Sequence, residues 1–321
     1  MFYVSERTVI DLVPQHAVSA AIEAAFAAMA SGEAANFPVV REGLGYAGAI
    51  FGFKSGFDRT GPNLGVKAGG LWPGNRARGL PNHQSTILLF DCDTGAPVAL
   101  VRGTWLTALR TAAASAISIR HFARPDAFGL GILGAGGQAE FQVRAALAER
   151  AFSRLTIAAR SPARGEALAA TLADTGLSIR VASVEDMART SDVIITVTPS
   201  FKAVIEDAWV RPGTHLACMG ADTRGKQEVD TALVARARLF VDEPAQAITL
   251  GECQHAHAAG LIDDAALIPI GAVINGTQPG RISPDDITLF DSTGVGLQDV
   301  AAARLALTLA HAAGRAVQLE D

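Results

Sequence analysis

Cysteine is scarce in this 321-residue chain: Cys92, Cys218 and Cys253 stand far apart, with neither a disulfide framework nor a metal-type spacing among them. A basic excess is missing as well. Lysine and arginine number 27 against 32 acidic residues, a formal charge of −5, which excludes the electrostatic footprint of a nucleic-acid binder. No apolar run reaches the roughly 18 residues of a membrane span, and Met1 to Arg7 lacks the apolar core of a signal peptide, so no membrane partner and a cytoplasmic location are expected. Repeats, low-complexity tracts and linkers are absent too, while 49% hydrophobic residues exclude disorder. Cys253-x-His255-x-His257 has metal-binding atoms, but residues two apart on a helix point in different directions, and the surrounding alanines favour helix. No metal is expected.

What is present is a stretch from Phe128 to Ala139 in which an apolar strand runs into Gly134-x-Gly136-x-x-Ala139 and then into a helical pattern over 139–150. Such a turn lets backbone approach a pyrophosphate and seats it on the amino end of a helix, where free N–H groups and the helix dipole favour an anion. Gly137 and Gln138 belong to the same loop. Strands at 154–159, 193–197, 215–219, 239–241 and 287–290 alternate with helical segments, which predicts an α/β protein with a Rossmann-type doubly wound sheet over residues 121–299. Residues 1–120 alternate a helix over 17–30 with glycine-punctuated strands and a hairpin turn at Asp91 to Gly95, and end in an alanine-rich helix over 107–122. With a last helix over 300–316 they predict a second, α+β domain of residues 1–120 and 300–321.

In an open parallel sheet the ligand lies beyond the carboxyl ends of the strands. After the second strand of the Rossmann segment, where a carboxylate would bond the ribose of NAD, stand Arg160 and Ser161, which could instead hold the 2′-phosphate of NADP. After later strands come Thr198 and the run Met219, Gly220, Ala221, Asp222. Arg41, Lys54, Lys67 and Arg110 sit in glycine-rich or apolar surroundings, where a buried cation needs a partner, and together they point to an anionic substrate.

Arg41, the run Gly65-Val-Lys67 with Pro73-Gly-Asn75, Leu106 to Ser115 around Arg110, the loop at 134–139, Gly220 to Asp230 and Asp291 to Asp299 resemble the ornithine cyclodeaminase/μ-crystallin family along nearly the whole chain. The resemblance implies a dimer, a nicotinamide coenzyme and chemistry through an imine. Arg41, Lys67 and Arg110 match the positions that hold the substrate α-carboxylate, Lys67 and Asp222 the catalytic positions, and Asn82 a polar position near the substrate. Thr111, Thr198, Met219, Val295 and Gly296, within the 295–299 stretch, match positions bordering the cofactor.

One departure bears on the substrate. Lys54 falls where the ornithine enzymes place a glutamate that receives the side-chain amine. An ammonium there rejects a cationic diamino acid and attracts a second carboxylate, with His83 or Asn82 assisting, so a small dicarboxylic imine is expected. A closer likeness, carried by 36–42, 51–58, 82–86, 225–228 and 251–256, is to a branch that reduces iminosuccinate to L-aspartate with NADH, and NADH is preferred over NADPH on that ground. Other family activities remain open: ketimine reduction, alanine dehydrogenation, ornithine cyclodeamination, or ligand binding without turnover.

Overall fold

Period-two burial marks the long amino-terminal strands, as in β-sheet with one covered face: Lys54, Gly56 and Asp58 are buried while Phe53, Ser55 and Phe57 are not. The computed structural model describes residues 1–320 and divides into two units, Met1–Ala113 with the chain from Val295 onward, and Ala114–Gly294. The boundaries expected at 120 and 299 lie inside two helices, Thr104–Phe122 and Gly296–Ala312.

In the first unit, β1 (Phe2–Val4), β2 (Ala34–Asn36), β3 (Val40–Gly43), β4 (Ile50–Asp58), β5 (Asn63–Leu71), β6 (His83–Phe90) and β7 (Pro97–Arg102) form a sheet in the order β1-β7-β6-β5-β4-β2. β3 also pairs with β4, and Val317–Gln318 adds to the edge at β1. The pairing is antiparallel except for β1 with β7. Hairpin turns hold it in register. Asp58 accepts from the backbone and hydroxyl of Thr60, and Asp91 does the same for Thr94 before Gly95 at φ 72°.

The helices Gln15–Ala30 and Gly296–Ala312 pack on the inner face of this sheet. Glycines bring the second of them close. A Cβ on Gly296 would lie 2.4 Å from the Ser55 carbonyl oxygen, one on Gly56 2.9 Å from Leu297, and one on Gly65 3.0 Å from Val300. The helix expected over 300–316 therefore starts earlier: Val295 is its N-cap, following Gly294 at φ 72°, and glycines that read as loop are its docking surface.

The second unit carries β8 (Gly129–Leu133), β9 (Arg154–Ala158), β10 (Ser178–Val181), β11 (Val193–Thr196), β13 (His215–Cys218), β15 (Arg238–Val241), β16 (Leu267–Pro269) and β17 (Thr288–Asp291), all parallel, in the order β10-β9-β8-β11-β13-β17-β15-β16. Between them β12 (Phe201–Ile205) and β14 (Gln227–Val229) make a separate two-stranded ladder. The chain builds outward from β8 to β10, then crosses to β11 on the other side, so the switch point where such sheets bind ligands lies between β8 and β11. The helix expected over 139–150 stops at Ala146, because Glu149 pairs with Arg120 and Arg150 donates to the carbonyls of Arg120, Ala123 and Arg124. Among the described residues no helix is long and apolar enough to cross a membrane.

Gly296→Ala is expected to cost about 1–3 kcal/mol through overpacking. A lowered urea midpoint is the sign of it, and an unchanged midpoint contradicts the close docking.

Candidate active site

The first unit gathers cationic side chains on its inner sheet face. Lys54 and Lys67 are register partners on β4 and β5, and both are buried. His83, two residues before buried Ser85, enters the same face from β6, and Arg41 is half-buried on β3. Arg110 arrives from the helix Thr104–Phe122. Lys67 and Arg110 meet at Asp299, which is completely buried: its Oδ2 lies 2.6 Å from Lys67 Nζ, and its Oδ1 accepts from Arg110 Nε at 3.0 Å. Gln298 Oε1 accepts from Arg110 Nη1 at 2.9 Å.

These neighbours set the protonation states. Burial would raise the Asp299 carboxyl, but Arg110 and Lys67 hold it below the usual carboxylate range. Burial lowers Lys67 to about 7; Asp299 opposes that shift, while Arg110 and Lys54 add to it. Burial, reinforced by Lys67 and Arg110, lowers His83 to about 3. The imidazole is thus neutral at pH 7, and the part expected of His83 beside a carboxylate narrows to hydrogen bonding. Asn82 commits its side-chain oxygen to the Arg76 N–H, so its amide nitrogen is what it can offer a ligand. Cationic side chains thus predominate around the buried Asp299 carboxylate, with Lys67 and Arg110 paired to it directly.

The dinucleotide features lie in the second unit. Gly134, directly after β8, has φ 117°, and a Cβ there would come within 2.9 Å of the Val197 carbonyl oxygen. Gly136 and Gly137 face open space instead. Ala139 is buried at the start of the helix Ala139–Ala146, with Gln138 as its N-cap. Bare backbone, room above it and a helix amino end form a cradle that fits a pyrophosphate. Arg160 and Ser161 follow β9, with Arg160 exposed and Ser161 capping the helix Pro162–Thr171. Thr198 follows β11 and Met219 follows β13. Asp222 is half-buried and accepts from Lys226 Nζ at 2.7 Å and from Thr223 Oγ1 at 3.1 Å.

The remaining expected positions belong to the first unit. Thr111 donates its hydroxyl to the Thr107 carbonyl, Val295 is completely buried, and Gly296 presses on Ser55. Sequence reasoning missed two ion-pair partners: Asp299, grouped with the cofactor border, and Lys226, given no part at all. The need of Lys67 and Arg110 for a buried counter-charge was the available signal. His255 bonds the Lys226 carbonyl and His257 bonds Asp264, and among the described residues no three metal-type side chains gather.

Residues 3–312 match the ornithine cyclodeaminase/mu-crystallin family. The iminosuccinate reductase of Paracoccus denitrificans is 48% identical over 320 residues, all of both chains, and its crystal structure in complex with NAD+ superimposes with a TM-score of 0.95 over 100% of this chain and 99% of that one. The Thermococcus litoralis Δ1-pyrroline-2-carboxylate reductase, solved with NADH and L-proline, is 28% identical with a TM-score of 0.95, covering 99% of this chain and 100% of that one. An archaeal alanine dehydrogenase dimer with bound NAD is 31% identical with a TM-score of 0.94, covering 100% and 99%. The motifs read along the chain and the match over residues 3–312 agree, and the chain belongs to the ornithine cyclodeaminase/mu-crystallin family.

Proposed function

We propose that the chain is an imine reductase that converts iminosuccinate to L-aspartate with NADH, and that it works as a homodimer. Lys54 is the observation that carries the substrate. Its buried ammonium stands directly across a strand pair from Lys67 and helps to lower it, so the like charges disfavour each other at some cost. A second carboxylate on the ligand reverses that cost, and the ammonium group of ornithine would add to it. The Paracoccus relative bears the name of this reaction, and the structures with NAD+, NADH and NAD support a nicotinamide coenzyme. NADH is assigned over NADPH, although Arg160 offers the 2′-phosphate no repulsion.

In the proposed arrangement Arg41, Lys67 and Arg110 hold the α-carboxylate, and Lys54 takes the β-carboxylate with the Asn82 amide and the neutral His83 ring. Gly134, Gly136, Gly137, Gln138 and Ala139 would hold the dinucleotide, which supplies a hydride when bound. Lys67 gives its proton to the imine nitrogen, since the iminium is the better hydride acceptor. Asp222, whose carboxylate accepts from Lys226, is assigned the second catalytic position that the family resemblance implies. The clamp fixes the orientation of the reacting carbon, which lowers the entropic part of the barrier.

The dimer rests on the outer face of the first unit's sheet. Phe53 is 44% exposed there, Leu64, Val66, Leu88 and Phe90 are only half-buried, and Phe37 and Val40 beside them are exposed.

Purified protein is expected to oxidise NADH, and NADPH less efficiently, on addition of fresh iminosuccinate. Lys54→Glu should lower kcat/KM for iminosuccinate by about 100-fold while changing that for the imine of pyruvate and ammonia less than about tenfold; equal losses on both rule out the contact. Because the donor must be protonated, kcat/KM for reduction should fall as pH rises through about 7. A profile flat across that range removes Lys67 as the donor. Phe53→Glu should shift the gel-filtration mass from twice 33.2 kDa to the single-chain value, and a dimer that persists in this variant places the interface elsewhere.

A further inference from the structure

Glu228, on β14, is completely buried, and among the described residues no cation lies within ion-pairing distance of it. Its charge is met by donors from two loops. Oε1 accepts from the Thr198 N–H at 2.6 Å, and Oε2 accepts from the Gly220 N–H at 2.9 Å and the Thr196 hydroxyl at 2.7 Å. Thr198 opens the segment after β11 and Gly220 the segment after β13, and those two strands are neighbours in the parallel sheet. The loops meet backbone to backbone: a Cβ on Gly220 would lie 2.3 Å from the Thr198 carbonyl oxygen and 2.4 Å from Glu228 Oε2. From the other side Lys226 Nζ donates to the Gly220 carbonyl at 3.2 Å and to Asp222 at 2.7 Å. Gly220 is therefore held at its N–H by Glu228 of β14 and at its C=O by Lys226, the residue just before that strand.

Glu252 is the natural comparison. It is equally buried, beside Glu228, but Oε1 accepts from the N–H groups of Glu228 and Val229, so it braces β14 and reaches neither loop. Burial raises both carboxyls, Glu252 much further because the Glu228 charge adds to its burial. Three donors favour the charged form of Glu228, and that charge in turn favours the neutral form of Glu252.

We propose that Glu228 is a positioning residue of the coenzyme site, its carboxylate pinning the segments after β11 and β13 together so that Thr198 and the Gly220 to Asp222 turn present a fixed surface to the dinucleotide. It rests on the reading that a dinucleotide binds beyond the carboxyl ends of these strands. Three donors converge on one side chain, and a carboxylate accepts from all of them at once. A glutamine cannot, because its NH2 group must face either the Thr198 or the Gly220 N–H.

The test compares wild type, Glu228→Gln and Glu252→Gln for NADH affinity by fluorescence titration, for KM and kcat, and for thermal midpoint. Glu228→Gln is expected to raise the NADH Kd and KM about tenfold or more, leaving the iminosuccinate KM within about twofold. Glu252→Gln, which replaces a protonated carboxyl with an amide of the same shape, is expected to keep NADH affinity within about twofold. Unchanged NADH affinity in a folded Glu228→Gln overturns the proposal. So does a loss of affinity that follows the drop in thermal midpoint equally in both variants. If Glu228→Gln does not fold, Gly220→Ala carries the test: its methyl group wedges between Thr198 and Glu228 and should weaken NADH in the same way, and undiminished affinity there overturns the proposal. A wild-type chain that binds no NADH overturns the dinucleotide reading itself, a result distinct from these.

Discussion

Asp299 is the charge on which the first unit's pocket depends. Burying Lys67 and Arg110 in a sheet face is costly unless each meets an anion, and both meet the same carboxylate. Removing that carboxylate would leave two uncompensated buried cations, a loss typically larger than that of any exposed ion pair. Its placement follows from backbone packing. The helix that carries it sits close to β4 and β5 because Gly296, Gly56 and Gly65 leave no side chain in the way. Small residues at a helix-sheet contact thus help to set the protonation state of a lysine.

The same balance explains why the pocket remains able to bind. A site whose cations were fully neutralised by fixed carboxylates would have little left for a ligand, while one with no carboxylate could not keep its cations buried. Asp299 compensates Lys67 and Arg110 together, and Lys54, the register partner of Lys67, still helps to lower the Lys67 ammonium. An anionic ligand would oppose the influence of these neighbouring cations on Lys67, which is one form of electrostatic preorganisation. In the proposed function, selectivity rests on Lys54 rather than on the residues assigned to the α-carboxylate.

Local signals made much of this legible from sequence. The turn at 134–139 announced itself because a glycine at φ 117° and two glycines under open space are requirements of a few consecutive residues. Short runs punctuated by glycine and a hairpin turn gave the sheet of the first unit, and strands alternating with helical segments gave the second. What stayed hidden was non-local. Asp299 and Arg110 are 189 residues apart, and nothing near Asp299 in the chain says which cations it will meet. The start of its helix was hidden for a related reason: glycine is a poor helix former, and only the opposing backbone of Ser55 makes it the right residue at 296. Glu228 left no local mark either, since its three donors come from segments that are brought together only by the order of the parallel strands.

Lys67 joins these themes. Its value near 7 belongs to the pocket without an anion, where burial and two neighbouring cations outweigh the pull of Asp299. An arriving dianion opposes every one of those influences except burial, so it favours the ammonium form. A reductase of an imine consumes a proton as well as a hydride, and a lysine poised in this way takes up its proton when the carboxylates bind. The charge that selects the ligand therefore also loads the acid that serves it. Such coupling needs the lysine to be buried beside other cations, with one carboxylate to hold it in place, and it would be lost if the same lysine stood in solvent at its ordinary value.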